Sequence, residues 1–194
     1  MSEKVITHTD LCIATAKRFI SRIALYEYKS FIYNEQPDVL VYGEDNTALF
    51  EIKMSLSDFN ADKYKDCRIK YRAPHWINHY FMPEKDGYSK KKLVKLEKGD
   101  VEINYIEREH LGNYRYFVCP AGIIPVEKVP EGWGLYYYKN GKFYKKKKSG
   151  YFRSNLKKEN ALIVHALRGY ASGNVKGIMV NTYKYKENMR WFNA

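Results

Sequence analysis

Residues 37–53 read PDVLVYGEDNTALFEIK. A proline introduces Asp38, an apolar run follows, and a polar turn leads into a second apolar run that ends Glu51, Ile52, Lys53. Pro37 separates this stretch from what precedes it. The pattern predicts two strands, 38–43 and 47–53, joined as a hairpin at 44–46. Side chains two apart on a strand share a face, so Phe50 and Ile52 are expected in a core, and Glu51 and Lys53 on the opposite, open face. Asp38 shares a face with Leu40 and Tyr42, and the hairpin carries it toward Glu51 and Lys53. Two carboxylates and an ammonium are therefore expected together at one sheet edge.

Such a grouping has a chemical use. Two carboxylates and a backbone carbonyl, that of Ile52, can hold Mg²⁺ or Mn²⁺ with several waters. A metal so held lowers the pKa of a bound water and neutralises charge on a scissile phosphate. Lys53 beside it can orient or deprotonate that water and stabilise the transition state. Phosphodiester hydrolysis is the reaction these residue types fit. The competing reading is a Glu–Lys pair on a solvated strand, since D…E-x-K recurs by chance.

The rest of the chain places this hairpin inside a mixed α/β domain. Ile13, Ala16, Phe19 and Ile20 recur at helical spacing, which predicts a helix over 9–21 with Thr7 or Thr9 as its cap and Asp10 at its positive end. Residues 23–33, rich in aromatic and branched side chains, read as a strand. After the hairpin, Ser55 or Ser57 can cap a second helix that runs toward Pro74, with Asp58, Asp62 and Asp66 at four-residue steps. Asp58 lies near Glu51 and is a candidate supporting acid; Asp62 and Asp66 read as a solvated face. Residues 79–82 read as a strand, and 84–112 as a charged insertion. Strands follow at 114–120 and 134–138. Asn140-Gly141 signals a tight hairpin with a return strand at 142–145. A last helix starts at Ser154 or Asn155 and stops at Gly173.

The 194 residues fit one domain spanning 1–194, and 45% hydrophobic with 29% charged residues reads as globular. The net charge of +12 points to a polyanionic partner, with nucleic acid ahead of an anionic membrane surface. Lys145, Lys146, Lys147 and Lys148 form one basic run and 90–92 another, both able to neutralise phosphates without reading sequence. Three widely separated cysteines argue against a disulfide framework and fit a reducing cytosol. No apolar run reaches the ~20 residues a membrane-spanning helix needs, and no signal peptide is recognisable. His75 and His79 are four apart, but Pro74 and the extended look of 79–82 argue against a zinc pair.

Pro37-Asp38 followed by Glu51-Ile52-Lys53 resembles the signature of the PD-(D/E)xK nuclease superfamily. EIKMSLSDFNADK (51–63), YRYFVCPAGIIPVEKVPEGWGLYYY (114–138) and ENALIVHALRG (159–169) are similar to a branch of MmcB-like and phage-encoded nuclease-like proteins. The resemblance covers most of the chain outside 84–112. It implies a restriction-endonuclease-like core, a central mixed β-sheet flanked by helices. It implies Asp38 and Glu51 as ligands of Mg²⁺ or Mn²⁺ and Lys53 as the catalytic lysine. Glu27 is the candidate for a further acid preceding the motif strands, with Glu35 the weaker alternative and plain exposure the competing reading for Glu27. Lys63, Lys70 and Arg72 then fall beside the site, where they could reach a phosphate backbone. The implied protein is a nuclease of DNA in repair or phage DNA metabolism, cytoplasmic, with homodimers known for the fold. A nucleic-acid-binding module of the same fold that does not cut is the alternative.

Overall fold

The computed structural model describes residues 6–29, 35–65, 68–71, 101–103, 111–173 and 176–181. Its first helix, α1, spans His8–Phe19. Thr7 caps it and Asp10 completes a reciprocal capping box, which satisfies two backbone donors that a bare helix start would leave open. Strand β1 (Ile23–Tyr26), β2 (Val39–Tyr42) and β3 (Thr47–Ile52) follow as an antiparallel meander. β1 is shorter than the 23–33 run predicts. Glu27 takes a left-handed backbone with φ of 47°, which an extended strand cannot continue through.

Helix α2 covers Leu56–Ala61 and passes into a single 3₁₀ turn at Asp62–Tyr64, so the second helix stops well before Pro74. Short strands β4 (Ile69–Tyr71) and β5 (Val101–Ile103) pair separately from the main sheet. Most of the 84–112 insertion, the predicted strand at 79–82, Arg72, His75 and His79 lie outside the described residues. Strands β6 (Tyr114–Pro120), β7 (Gly134–Lys139) and β8 (Lys142–Lys147) and helix α3 (Leu156–Ala171) match their expected places. Asn140 and Gly141 both adopt positive φ, 50° and 75°, as the tight hairpin requires. A further strand, β9 (Ile178–Val180), has no strong sequence pattern and pairs with β1.

The main sheet has seven strands in the order β8-β7-β6-β3-β2-β1-β9. β3 pairs parallel with β6, and β6 with β7; the remaining pairings are antiparallel. The sheet is therefore mixed, and the fold is α/β. β3 is its middle strand. The expectation of a site at a sheet edge is corrected: Glu51 and Lys53 close the C-terminal end of the most central strand.

Both faces of β3 are covered, which is why its sequence is almost continuously apolar. On one face Phe50 and Ile52 pack with Leu11, Cys12 and Ala16 of α1. Leu49, on the other face, packs with Phe59 of α2, Phe117, Trp133 and the α3 residues Leu162 and Ala166. Glu51 and Lys53 share the Leu49 face by alternation. They are 1% and 2% exposed, so the predicted open face is a second core. At the opposite end of β3, the buried Glu159 carboxylate accepts from Thr47 Oγ1 at 2.8 Å and from the Gly112 N–H at 2.7 Å, which ties α3 to the sheet.

Candidate active site

The hairpin register pairs Val39 with Phe50, which sets Asp38 across from Glu51 and Pro37 across from Ile52. Each partner then has a consequence for the backbone. The Ile52 N–H points toward β2 and donates to Asp38 Oδ2 at 2.7 Å, while the Lys53 N–H points the other way, to Val118 O at 2.9 Å. Within one strand residue the N–H and C=O face the same neighbour. The Ile52 carbonyl therefore opens toward β2 beside Asp38. Pro37 has no N–H to offer it. The proline of the opening stretch thus does more than break a strand: it presents no N–H across from the Ile52 carbonyl, next to a carboxylate.

Glu51 lies inside a dense ionic cluster. Its Oε2 is 2.5 Å from Lys65 Nζ and 3.3 Å from Lys53 Nζ, and its Oε1 is 3.5 Å from Arg68 Nη2. Lys53 Nζ also donates to Asp62 Oδ1 at 2.7 Å, and Lys65 Nζ reaches the same oxygen at 3.0 Å. Arg68 links Asp62 Oδ2 through Nε at 3.3 Å and Glu35 Oε1 through Nη1 at 2.7 Å. Glu35 Oε2 in turn accepts the Leu111 N–H at 2.9 Å. Among the described residues, three carboxylates, Glu35, Glu51 and Asp62, thus face three cations, Lys53, Lys65 and Arg68. Such pairing is what lets these charges sit in and against an apolar interior.

Aromatic rings form the floor of the cluster. Lys53 Nζ stands 6.0 Å above the Phe117 ring, and the Arg68 guanidinium 4.7 Å above Trp133. Phe117 and Trp133 stack at 4.5 Å, and Phe59 meets Phe117 edge-on at 5.0 Å. Such rings exclude water yet offer their negative faces to the cations.

Burial pushes the Glu51 carboxyl above its ordinary range, against the opposing pull of Lys65 and Lys53. Burial acts on Asp62 in the same direction, but Arg68, Lys53 and Lys65 together outweigh it and hold that carboxyl below its ordinary range. Burial alone would lower Lys65; Glu51 and Asp62 raise it instead. Lys65 is the exception in exposure: its side chain is 38% exposed, whereas those of Lys53 and Arg68 are almost wholly enclosed. Lys65 thus joins the cluster to solvent while holding both Glu51 and Asp62.

Asp38 sits at the rim with its side chain 24% exposed. Its Oδ1 faces His8 Nε2 at 3.6 Å, while His8 Nδ1 is 3.2 Å from Glu27 Oε1. Asp38 raises the His8 imidazole well above its ordinary range, with a smaller push from Cys12. Glu27 is thus drawn into a group with α1, and Thr9 Oγ1 donates to it at 3.0 Å.

The structure distributes the remaining sequence candidates. Asp58 is spent on the α2 cap: its N–H bonds Ser55 Oγ at 3.1 Å and its Oδ2 accepts the Met54 N–H at 3.2 Å. Asp62, expected on a solvated face, is 1% exposed and central to the cluster, because the helix ends before it. Lys63 lies 5.0 Å from the Tyr64 ring on the surface turn. Lys70 is on β4, which pairs with β5 rather than with the main sheet. Lys147 is occupied by the carbonyls of Val129 and Pro130 at 2.8 and 3.1 Å, whereas Lys145, Lys146 and Lys148 are exposed. β8 is three strands from β3, roughly 14 Å at the usual interstrand spacing.

Sequence reasoning misses Lys65, Arg68 and His8. Lys65 and Arg68 carry no signal, because their place depends on where α2 unwinds. His8 and Cys12 do carry one: four residues apart on a helix, they share a face.

No protein-family model matches the chain, and no curated protein sequence matches it significantly. Among solved structures, the SPO1766 protein of unknown function from Silicibacter pomeroyi is similar, at 12% sequence identity and a TM-score of 0.49, over 87% of each chain.

Proposed function

We propose that this protein is a metal-dependent nuclease that hydrolyses phosphodiester bonds of DNA at the Asp38–Glu51–Lys53 centre. The observation that carries this reading is the junction of Pro37-Asp38 with Glu51-Ile52-Lys53. There the hairpin register sets Asp38 across from Glu51, the Ile52 N–H bonds Asp38, and Lys53 bonds Glu51 at the end of the central strand. The donor set is all oxygen, which suits Mg²⁺ or Mn²⁺. Asp38, Glu51 and the Ile52 carbonyl would hold the ion once Lys65, already seated against Glu51, swings out through its exposed side. The bound ion would supply charge neutralisation at the phosphate and an acidified water. Lys53, fixed between Glu51 and Asp62, would orient that water and stabilise charge on the phosphate. Asp62 and Arg68 position Lys53 and Glu51 and keep bulk water from the interior.

A polyanionic substrate fits the surface. A hollow of about 470 Å³ is lined by Lys17, Arg18 and Lys142 together with Tyr138, Phe143 and Tyr144. Cations beside the exposed Tyr144 ring and the half-buried Tyr138 and Phe143 rings suit phosphate binding and base stacking. One observation favours the alternative of a binding module that does not cut: Glu51 already meets three cations.

Cleavage of single-stranded, duplex and branched DNA with Mg²⁺ and Mn²⁺ separates the two. The nuclease reading predicts metal-dependent cutting that Lys53→Met abolishes. Salt-sensitive binding without cutting on any of these substrates supports the binding module instead. Glu51→Ala is a poor probe on its own, because it leaves the buried Lys53 and Arg68, and Lys65 above them, short of a partner and destabilises the fold.

A further inference from the structure

Beside the acidic centre, but built from different residues, His8, Cys12 and Glu27 bring one nitrogen, one sulfur and one oxygen within 4.8 Å of one another. We propose that these three side chains bind one borderline-soft divalent metal ion of the Zn²⁺ class, with a fourth position open to solvent. The inference does not depend on whether the Glu51 centre cleaves DNA.

Two of the three edges of the group match those of a tetrahedral site, and the Cys12–Glu27 edge, within 4.8 Å, closes by a small movement of the Glu27 side chain. Zinc bonds of about 2.0–2.3 Å to nitrogen, sulfur and oxygen separate neighbouring ligand atoms by roughly 3.4–3.6 Å. Here His8 Nδ1 is 3.2 Å from Glu27 Oε1 and 3.5 Å from Cys12 Sγ. His8 and Cys12 share a face of the capped first turns of α1, so the helix fixes their spacing. Glu27 is brought to them by its left-handed backbone, held by an N–H bond to Asp38 O at 2.8 Å.

Two supporting interactions are also in place. A histidine that ligates through one ring nitrogen commonly presents the other to a carboxylate. His8 Nε2 faces Asp38 Oδ1 at 3.6 Å. Thr9 Oγ1 donates to the Glu27 carboxylate at 3.0 Å and orients it. Access is from the rim, where the His8 and Glu27 side chains are 38% and 35% exposed, with Cys12 buried beneath them. On binding, the Cys12 thiol gives its proton to solvent and the imidazole ligates in its neutral form, so uptake releases protons and strengthens as pH rises. The thiolate and imidazole set this site apart from the all-oxygen Mg²⁺ centre.

The test is titration of the purified, chelator-stripped full chain with Co²⁺, followed by displacement with Zn²⁺. One equivalent of Co²⁺ should bind with tetrahedral visible bands and a thiolate-to-cobalt band in the near ultraviolet. Cys12→Ser should remove the thiolate band, and Cys67→Ser should keep it. Glu27→Gln should weaken Zn²⁺ by at least about tenfold, and Asp38→Asn by about 10- to 100-fold with the thiolate band retained. Absence of stoichiometric Co²⁺ or Zn²⁺ uptake by the wild type overturns the proposal. So does a cobalt spectrum without thiolate character, loss of the band in Cys67→Ser, or unchanged affinity in both His8→Gln and Glu27→Gln. The surface variants His8→Gln and Glu27→Gln keep the test decisive if Cys12→Ser does not fold.

Discussion

Glu51 shows how little the type of a residue says without its neighbours. Alone, a fully buried carboxylate would cost several kcal/mol to ionise; here Lys65, Lys53 and Arg68 offset part of that cost. Glu51→Ala is therefore expected to destabilise the fold by about 3–5 kcal/mol, because it leaves a surplus of buried cation. Urea denaturation of the two proteins measures this. Lys65 predicts the opposite kind of effect. Its ammonium competes for Glu51, so Lys65→Met should lower the Mg²⁺ concentration for half-maximal activity by roughly tenfold, about 1.4 kcal/mol of removed competition. An unchanged or raised half-saturating concentration contradicts the idea that Lys65 covers the metal position.

The same residues set the response to acid. Asp62 has a depressed carboxyl pKa in the folded state, so it contributes stability above its unfolded value, about 3.9, that is lost as pH falls through the folded value. Glu51 has a raised pKa and acts in reverse: its contribution is full when protonated and is lost as pH rises through its folded value. Stability measured from pH 6 down to pH 2 should therefore fall below about pH 4. In Asp62→Asn that fall should be shallower.

At the scale of elements, the outcome turns on where strands and helices end. The hairpin of residues 38–53, with Phe50 and Ile52 facing a core, is legible because period-two alternation and a polar turn are local signals. Its surroundings are not. Nothing in TALFEIK says that β6 pairs parallel along its free side, or that α2, α3 and Trp133 cover the face carrying Glu51 and make it a second core. The sequence pattern overextends the second helix because Asp62 and Asp66 keep helical spacing. Tertiary attraction of Asp62 to Lys53, Lys65 and Arg68 takes over at that point. Close approach of elements is equally invisible in sequence. Gly112 has φ of 82°, and a Cβ added there would lie 2.7 Å from Leu49 Cβ. Gly112→Ala should cost about 1–3 kcal/mol, read as a lowered melting temperature; an unchanged value would mean that β3 and the 112 turn can separate freely.

For the whole molecule, charge is the most legible property and its distribution the least. The excess of +12 stands in the composition, but among the described residues the central cluster sets three carboxylates against three cations, which contribute none of that excess. Among the described residues no helix is long and apolar enough to cross a membrane. DNA affinity should fall steeply with salt, and combined replacement of Lys145, Lys146 and Lys148 by Ala should shallow the slope of log K against log salt. The change expected is about 0.9 for each phosphate that is no longer neutralised. Lys147→Ala should leave that slope alone, since its ammonium serves Val129 and Pro130.

Asp38 is the best point at which to test the central claim, since it stands at the rim, and an asparagine there still offers an oxygen to the Ile52 N–H. The decisive measurement is the rate of DNA cleavage against Mg²⁺ concentration for the wild type and Asp38→Asn at matched folded fraction. A metal-dependent wild-type rate that drops at least about 100-fold in the variant is the predicted result. Equal rates in the two proteins, or no metal-dependent cleavage by the wild type, would contradict it.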